Sequence, residues 1–275
     1  MIRPLPRLTP SLTLALTGLV IGAFVIAGCD SAGPSASPGA GNVEVQFKTS
    51  YASSSSSTSS RSRAAPRSSS PDSLVITGSN GRLTITDIRL IVSGLELEGE
   101  ADSSEFEAAP SFLDLPLDTN EVAPVAADDI PTGIYTEFEF EVEDVDLEDG
   151  DEEADGLTAL RDTIQKAYPN WPQSASMVAT GTFTPDGDTS RSFTTYFEAE
   201  IEVEQKLEPP LEVTDEGLST SLTVKLDPTQ WFSRNDGTVW NLSQFDYGST
   251  GKLVEFDAEF EDGVSEIEAG DDDDD

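Results

Sequence analysis

The chain has 275 residues, with 53 Asp and Glu against 15 Lys and Arg, one cysteine and no histidine. The lack of histidine excludes Ser-His-Asp and Cys-His catalysis and histidine-ligated zinc, copper and haem. The net charge of −38 argues against nucleic acid or anionic lipid as a partner of the folded part, and it indicates a protein adapted to high salt.

The N-terminal segment is typical of a secretory signal. Arg3 and Arg7 supply positive charge, and residues 12–26 form an apolar run that is short for a membrane-spanning helix. The run ends in Ile26-Ala27-Gly28-Cys29, which resembles the lipobox of bacterial lipoproteins. That resemblance implies removal of residues 1–28 and a diacylglycerol on the Cys29 thiol. Two or more acyl chains hold a protein firmly at a membrane, at about 0.8 kcal/mol per buried methylene.

The residues that follow the lipobox predict a tether interrupted by one strand. Residues 29–41 are rich in Gly, Pro, Ser and Ala, which predicts a flexible tether. Residues 42–49 alternate between apolar and polar, which predicts a first strand. Residues 50–71 are mostly Ser with a few Arg, a composition that buries little apolar area and predicts a disordered insert.

The next part of the chain predicts one β-sandwich domain over residues 72–262, followed by an acidic tail over 263–275. Alternating apolar residues predict strands at 73–77, 82–97, 111–117, 134–142, 177–184, 192–203, 218–226 and 253–260. A bulge is expected near Asp87 or Gly94 in the long second strand. One short helix is predicted over 157–168, ended by Pro169. Short strands separated by turns favour an antiparallel sandwich of the Greek-key or immunoglobulin-like type.

The turn before the strand at 134–142 carries a further expectation. Pro131 fixes φ for the turn, and Gly133 accepts the left-handed region. Alternation places Ile134 on the core face and Tyr135 on the opposite face. The Tyr135 hydroxyl is expected to bond backward to the loop backbone, as at a sandwich corner.

Several sequence segments of the domain resemble those of a known group of proteins. They are Leu83-Thr84-Ile85-Thr86-Asp87, Phe112-Leu113-Asp114-Leu115, Ile130-Pro131-Thr132-Gly133-Ile134-Tyr135-Thr136-Glu137, Glu204-Gln205-Lys206-Leu207-Glu208-Pro209-Pro210-Leu211 and Leu222-Thr223-Val224-Lys225-Leu226-Asp227. Together they resemble uncharacterised bacterial cell-envelope lipoproteins that carry a β-sandwich domain of unknown function. The resemblance covers residues 42 to 245. It implies a fold and a location but no reaction.

The acidic loop before the predicted helix is a candidate calcium site. Asp151, Glu153, Asp155, Gly156 and Asp162 stand at offsets 1, 3, 5, 6 and 12, as in a calcium loop. Glu at offset 3, the shorter Asp at offset 12 and a preceding strand depart from that motif. The alternative interpretation is a solvated loop, which a chain this acidic produces readily.

The tryptophans and paired carboxylates suggest other chemistry. Trp171 and Trp240, with Trp231, are candidates for a sugar-stacking platform, and the alternative is that they fill the core and its edges. Carboxylate pairs suit a glycosidase, but an acidic sandwich offers many such pairs. The lysines lack the motif context of a Ser-Lys dyad.

We therefore expect a non-catalytic lipoprotein, held at a cell or outer membrane through Cys29, whose sandwich binds a partner or serves structurally. No cofactor other than calcium is expected. A carbohydrate- or calcium-binding module of the envelope is the first alternative, and a carboxylate-dependent hydrolase is the second.

Overall fold

The computed structural model describes residues 40–51, 73–99, 105–145, 155–214, 220–256 and 263–271. The lipobox, the tether up to residue 39 and insert residues 52–71 lie outside this set, so the predictions for them stay predictions. The described residues belong to one compact unit over residues 38–275.

Fourteen strands, numbered in chain order, form three sheets within the described residues. The first sheet has the order β14-β12-β1-β7, with β1 Ala40–Thr49, β7 Ala123–Pro131, β12 Thr220–Leu226 and β14 Val264–Asp271. The second has the order β13-β10-β9-β3-β2, with β6 also paired to β3; the ranges are β2 Leu74–Gly78, β3 Gly81–Val92, β6 Ser111–Asp114, β9 Met177–Pro185, β10 Arg191–Glu198 and β13 Val254–Glu255. The third has the order β11-β8-β4-β5, with β4 Gly94–Gly99, β5 Glu105–Glu107, β8 Gly133–Val142 and β11 Ile201–Val213.

The predicted fold class, a mainly β sandwich, is confirmed. Most neighbouring strands are antiparallel, while β1 pairs with β12 and β10 pairs with β13 in parallel. One hydrophobic core takes residues from all three sheets. The ring of Phe47 on β1 meets that of Phe140 on β8 edge-on at 5.4 Å, which joins the first and third sheets. Burial of such side chains stabilises a fold by about 1.5–3 kcal/mol each.

Two strands that alternation predicted as continuous are each divided between two sheets. The chain leaves β3 in the second sheet at Ser93 and enters β4 in the third. It likewise leaves β10 and enters β11 across residues 199–200. A strand that turns a sandwich corner keeps its alternation, so periodicity alone does not reveal the change of sheet. The bulge expected near Asp87 is present as a register shift between Ile85 and Asp87.

Three strands lie where sequence analysis predicted none. Strand β7 contains Pro124 and Pro131 and lies at a sheet edge, where proline is tolerated. Strand β5 is a three-residue edge strand. Strand β14 occupies residues assigned to the acidic tail, and it pairs with β12 through Lys225, whose amine contacts Glu266 at 3.1 Å and Glu268 at 2.6 Å. The ordered sandwich therefore extends to residue 271, beyond the expected end at 262.

The alternation predicted for β8 is wrong at its first two residues. Tyr135 is fully buried, whereas Ile134 is 46% exposed. A register shift between Glu98 and Gly99 on the neighbouring β4 accommodates an extra β8 residue, which exchanges the two faces. The predicted hydrogen bond is confirmed, because the Tyr135 hydroxyl donates to the Pro131 carbonyl at 2.8 Å.

Helix α1, Asp155–Ala167, matches the predicted helix. Leu160 and Ile164 are buried beside Ile91 of β3, whereas Ala167 is exposed. Two further short helices, α2 Pro228–Phe232 and α3 Tyr247–Thr250, flank a 3-10 helix, Leu242–Gln244. Among the described residues, no helix has the length and apolar character needed to cross a membrane.

Candidate functional site

Three polar regions of the sandwich are candidates for function, and the first is the outer surface of the third sheet. We call it the glutamate face; it consists of Glu96, Glu98, Glu105, Glu107, Glu137, Glu139, Glu141, Glu202 and Glu204. Alternation along β4 and β8 buries Leu95, Leu97, Phe138 and Phe140 on one side and places glutamates on the other.

Strand register aligns these glutamates in rows. One row runs through Glu107, Glu96, Glu139 and Glu204, each directly opposite the next. A second row runs through Glu105, Glu98 and Glu137 to Lys206, and Glu141 lies opposite Glu202. Within the described part of the chain, no glutamate of this face forms an ion pair. Like charges directly opposite one another destabilise a sheet by about 0.2–1 kcal/mol per pair.

The electrostatics of the glutamate face show this crowding. Burial and then the charges of Glu107 and Glu105 raise the pKa of Glu96 above its ordinary value. Burial and the charge of Glu202 likewise raise the pKa of Glu139. A hydrogen bond with Glu204 raises the pKa of Glu137. Burial, hydrogen bonding and the surrounding charges therefore favour the protonated form of these groups.

Three members of the glutamate face lie within reach of a single cation. One carboxylate oxygen from each of Glu139, Glu141 and Glu202 lies within 4.8 Å of the others. Oxygen ligands of this kind suit calcium or magnesium, which also need several further oxygens. All three side chains are at least partly open to solvent, as is common for acidic groups that bind no ion.

The second region, the Arg89 network, contains Asp87, Arg89, Asp114 and Tyr168. Arg89 Nε lies 3.2 Å from Asp87 Oδ1, and Arg89 Nη2 lies 2.9 Å from Asp114 Oδ2. The Tyr168 hydroxyl donates to Asp87 Oδ2. Pairing of β3 with β6 places Asp114 directly opposite Arg89, and the end of α1 brings Tyr168 to the bulge at Asp87.

One guanidinium offsets part of the charge of two carboxylates in the Arg89 network. Burial alone would lower the pKa of Arg89, but the charges of Asp87 and Asp114 raise it above its ordinary value. Burial raises the pKa of Asp114, and the opposing charge of Arg89 offsets that rise only in part. Burial and the hydrogen bond to Asp87 raise the pKa of Tyr168. Asp87 and Asp114 also line an open cavity of 440 Å³ with Glu121 and Val122, so these carboxylates are the pair that the hydrolase alternative would require.

The third region, the Trp240 cleft, is an open cavity of 810 Å³ between the turn after α2 and strand β13. We define it by Arg234, Trp240, Gln244, Phe245, Lys252 and Glu255, which line it. Trp240 is half-buried, and its ring lies 6.0 Å from that of Phe245. The Arg234 guanidinium carbon lies 4.4 Å from the centre of the Trp240 ring.

The predicted calcium site is described only in part and stays a prediction. Asp155 is the first residue of α1, and Asp162 lies two turns further along the same helix and is exposed. Asp151 and Glu153 lie outside the described residues, so their part of the prediction stays untested.

The two predicted platform tryptophans occupy different settings. Trp171 packs edge-on against Phe112 at 5.3 Å and Tyr196 at 5.3 Å, and its indole N–H donates to the Ala175 carbonyl at 2.9 Å. We interpret Trp171 as a packing residue beside the Arg89 network. Trp240 instead lines an open cleft, while Trp231 is fully buried in the core.

Sequence reasoning missed the Arg89 network and the two cations of the Trp240 cleft. Arg89 stands in a strand of Leu, Ile and Val, where an unpaired charge is unfavourable, so its presence signals a partner. Arg234 and Lys252 lie on either side of Trp240 in a chain with few basic residues. Their convergence on one cleft depends on the fold and is not visible in the sequence.

Comparison with known proteins returns one weak likeness. No family model and no curated protein matches the chain. The solved structure of MbnP from Methylosinus trichosporium is similar with a TM-score of 0.33 and 14% sequence identity, over 84% of this chain and 98% of that one. A likeness at this level says nothing about ligand or activity.

Proposed function

We propose that this protein is a non-catalytic lipoprotein of the bacterial cell envelope, anchored through Cys29, whose β-sandwich works in concentrated salt. The glutamate face is the observation that supports adaptation to salt. Strand register places its glutamates opposite one another, and none of them forms an ion pair among the described residues. The lipobox residues 26–29 support the anchor. The anchor and the location are inferred from sequence alone.

The glutamate face supports adaptation to salt because, apart from Lys206 at the end of one row, its repulsion is reduced mainly by dissolved ions. The Debye length is about 10 Å at 0.1 M and about 3 Å at 1 M ionic strength. Cross-strand carboxylates lie about 5 Å apart at Cβ, so strong screening acts at that distance in molar salt and much less in dilute buffer. A sheet built this way loses little stability in brine.

The Arg89 network supports a non-catalytic role. Asp87 accepts hydrogen bonds from both Arg89 and Tyr168, and Asp114 contacts the same guanidinium. A general acid and a general base need environments that push their pKa values apart and leave both groups free to exchange protons with a substrate. Two carboxylates held by one arginine serve more naturally to join β3, β6 and the end of α1.

The calcium-binding alternative is favoured by one observation, the proximity of Glu139, Glu141 and Glu202. Thermal unfolding of the full chain in about 2 M NaCl separates the calcium alternative from the salt proposal. Sodium chloride at that concentration already screens the repulsion between the glutamates, so any further stabilisation by calcium would require a specific site. We expect added calcium to leave the melting temperature unchanged. A saturable rise that disappears in Glu139→Gln, but not in Glu44→Gln, would favour a calcium module instead.

Lipid labelling tests the anchor. In a bacterial host supplied with a labelled fatty acid, we expect the wild-type chain to carry label and to fractionate with membranes. Cys29→Ser should remain as an unprocessed, unlabelled precursor, because only the thiol accepts the lipid. Ser31→Ala is the matched control and should be labelled normally. Normal processing of Cys29→Ser would contradict the anchor.

A further inference from the structure

The Trp240 cleft gathers positive charge in a protein that has little of it. Arg234 and Lys252 both line the cleft, and both are exposed. Within the described residues, neither forms an ion pair, although Arg89, Arg191 and Lys225 all do. No described residue holds either cation in an ion pair, although the charge of Asp236 acts on Arg234, so both side chains can still contact an anionic ligand.

Arg234 is also held in position. Its guanidinium lies 4.4 Å from the centre of the Trp240 ring, within cation–π distance. Stacking on an aromatic ring leaves the N–H groups in the guanidinium plane free, and that fork matches a carboxylate. The turn beneath it is closed by hydrogen bonds from Arg234 N to the Thr238 carbonyl and from Gly237 N to the Arg234 carbonyl, both 2.9 Å long.

The rest of the Trp240 cleft combines apolar surface with hydrogen-bonding groups. Trp240, Phe245 and Leu253 supply the apolar surface, and Gln244 and Glu255 supply donors and acceptors. A sugar ring presents C–H faces and hydroxyls that match both kinds of surface. The volume of 810 Å³ is within the usual range for small-ligand sites, about 300–1,000 Å³.

The charges of the cleft select among anions. Arg234 and Lys252 face one carboxylate of the lining, Glu255, and the charge of Asp236 also acts on Arg234. This suits a ligand with one negative charge per unit, and Glu255 would repel a doubly charged phosphate. A carboxylated sugar therefore fits better than a phosphorylated one.

The walls of the cleft are fixed to the core. Leu242 is fully buried in the 3-10 helix between Trp240 and Phe245. Asp246 accepts a hydrogen bond from Thr194 N of β10 at 3.0 Å and one from Ser249 Oγ at 2.7 Å. Gly251, with φ of 62°, ends α3 in the left-handed region and directs Lys252 toward the cleft. A pre-formed site avoids part of the ordering cost of binding.

We propose that the Trp240 cleft binds the uronic acid units of an acidic polysaccharide, with Arg234 and Lys252 on the carboxylate and Trp240 beside the sugar ring. This gives a ligand class to the partner binding that the sequence led us to expect, and it rests on the non-catalytic role proposed above. Lipid labelling and unfolding in salt do not involve the cleft, so the two proposals can fail separately.

Calorimetric titration of the full chain with a galacturonate trimer and with the uncharged galactose trimer tests the proposal. Titration in about 1 M NaCl screens the long-range repulsion of the protein's net charge. We expect the charged trimer to bind at least about tenfold more tightly, since a charge-assisted hydrogen bond is the difference. Arg234→Gln should weaken it about tenfold, and Arg234→Lys, which lacks the fork, by less.

Arg82→Gln is the matched control, because Arg82 is exposed on β3 outside the cleft lining. It should leave affinity unchanged, and Trp240→Phe should remove the fluorescence change that accompanies binding. Melting temperatures identify any variant that fails to fold. Equal affinity for the two trimers, no binding of either, or equal losses in Arg234→Gln and Arg82→Gln would overturn the proposal.

Discussion

On the glutamate face, carboxylates lie opposite one another across neighbouring strand pairs, whereas in the Arg89 network two carboxylates share one guanidinium and one hydroxyl. Both regions belong to the same sandwich, but their charges need different partners. Arg89 and the Tyr168 hydroxyl compensate Asp87 and Asp114 in part, whereas the glutamates depend mainly on dissolved ions. Salt should therefore act strongly on one region and weakly on the other.

Removing the shared cation should have the largest effect. Arg89→Gln leaves Asp87 and Asp114 without their counter-charge beside the core. Breaking a buried pair costs about 3–5 kcal/mol; because Arg89 is 28% exposed, we expect a loss of about 2 kcal/mol in the free energy of unfolding. Urea denaturation of the variant and the wild-type chain in low and high salt measures this loss in the free energy of unfolding. Arg82→Gln, on the same strand, should change stability by less than about 0.5 kcal/mol.

Removing the Tyr168 hydroxyl should have a smaller effect on the same network. Tyr168→Phe keeps the ring but deletes the donor to Asp87, at a cost of about 1 kcal/mol. Burial and Asp87 raise the pKa of Tyr168 from an ordinary value of 10.0, so the neutral phenol stabilises the fold. That stability is complete below pH 10 and is lost as pH rises through the folded-state pKa. Unfolding at alkaline pH should show less of this loss in Tyr168→Phe; identical alkaline profiles would contradict the role of the hydroxyl.

Mild acidification should stabilise the glutamate face. Burial, and then the charges of neighbouring glutamates, raise the pKa of Glu96 and Glu139 from an ordinary 4.5, so the protonated form is favoured in the folded state. Their contribution is complete below pH 4.5 and is lost as pH rises through the raised values. In low salt, we expect the melting temperature to rise by about 2 °C from pH 7 to pH 5. Asp246, whose pKa is lowered by hydrogen bonds from Ser249 and Thr194, opposes this gain only nearer its ordinary 3.8. A falling melting temperature over that interval would refute the crowding.

A single neutral substitution within the glutamate face should have the smallest effect. Glu139 lies between Glu96 and Glu204, so Glu139→Gln removes two like-charge contacts. We expect a gain of about 0.4 kcal/mol in low salt and none in about 2 M NaCl. Glu44→Gln, opposite Ser221 on β1, is the control and should give no gain in either. A gain that persists in high salt would have another origin.

The alternation of apolar and polar residues predicted most strands of the sandwich, because each of these strands buries one face and exposes the other. It failed at the corner near Ser93, where the chain changes sheet without losing its period, and at β7, where Pro124 and Asp128 lower strand propensity. It also failed at β14, whose glutamates are compensated by Lys225 of β12. Each failure involves a partner strand that is distant in sequence.

The candidate sites were less predictable than the fold. Trp240 was identified from its residue type, but the roles of Arg234 and Lys252 depend on how the loop folds around it. The Arg89 network requires the register of β3 with β6 and the end of α1 to coincide. The calcium motif stays a prediction, because Asp151 and Glu153 lie outside the described residues.

The salt dependence of unfolding tests the central claim most directly. The free energy of unfolding of the full chain, of Glu139→Gln and of Arg89→Gln should be measured by urea denaturation across NaCl from about 0.1 M to 2 M. We predict that the wild-type chain becomes steadily more stable, that the gain in Glu139→Gln disappears, and that the loss in Arg89→Gln remains. A wild-type stability that stays constant or falls as salt rises would contradict a sandwich whose glutamate face is built for concentrated salt.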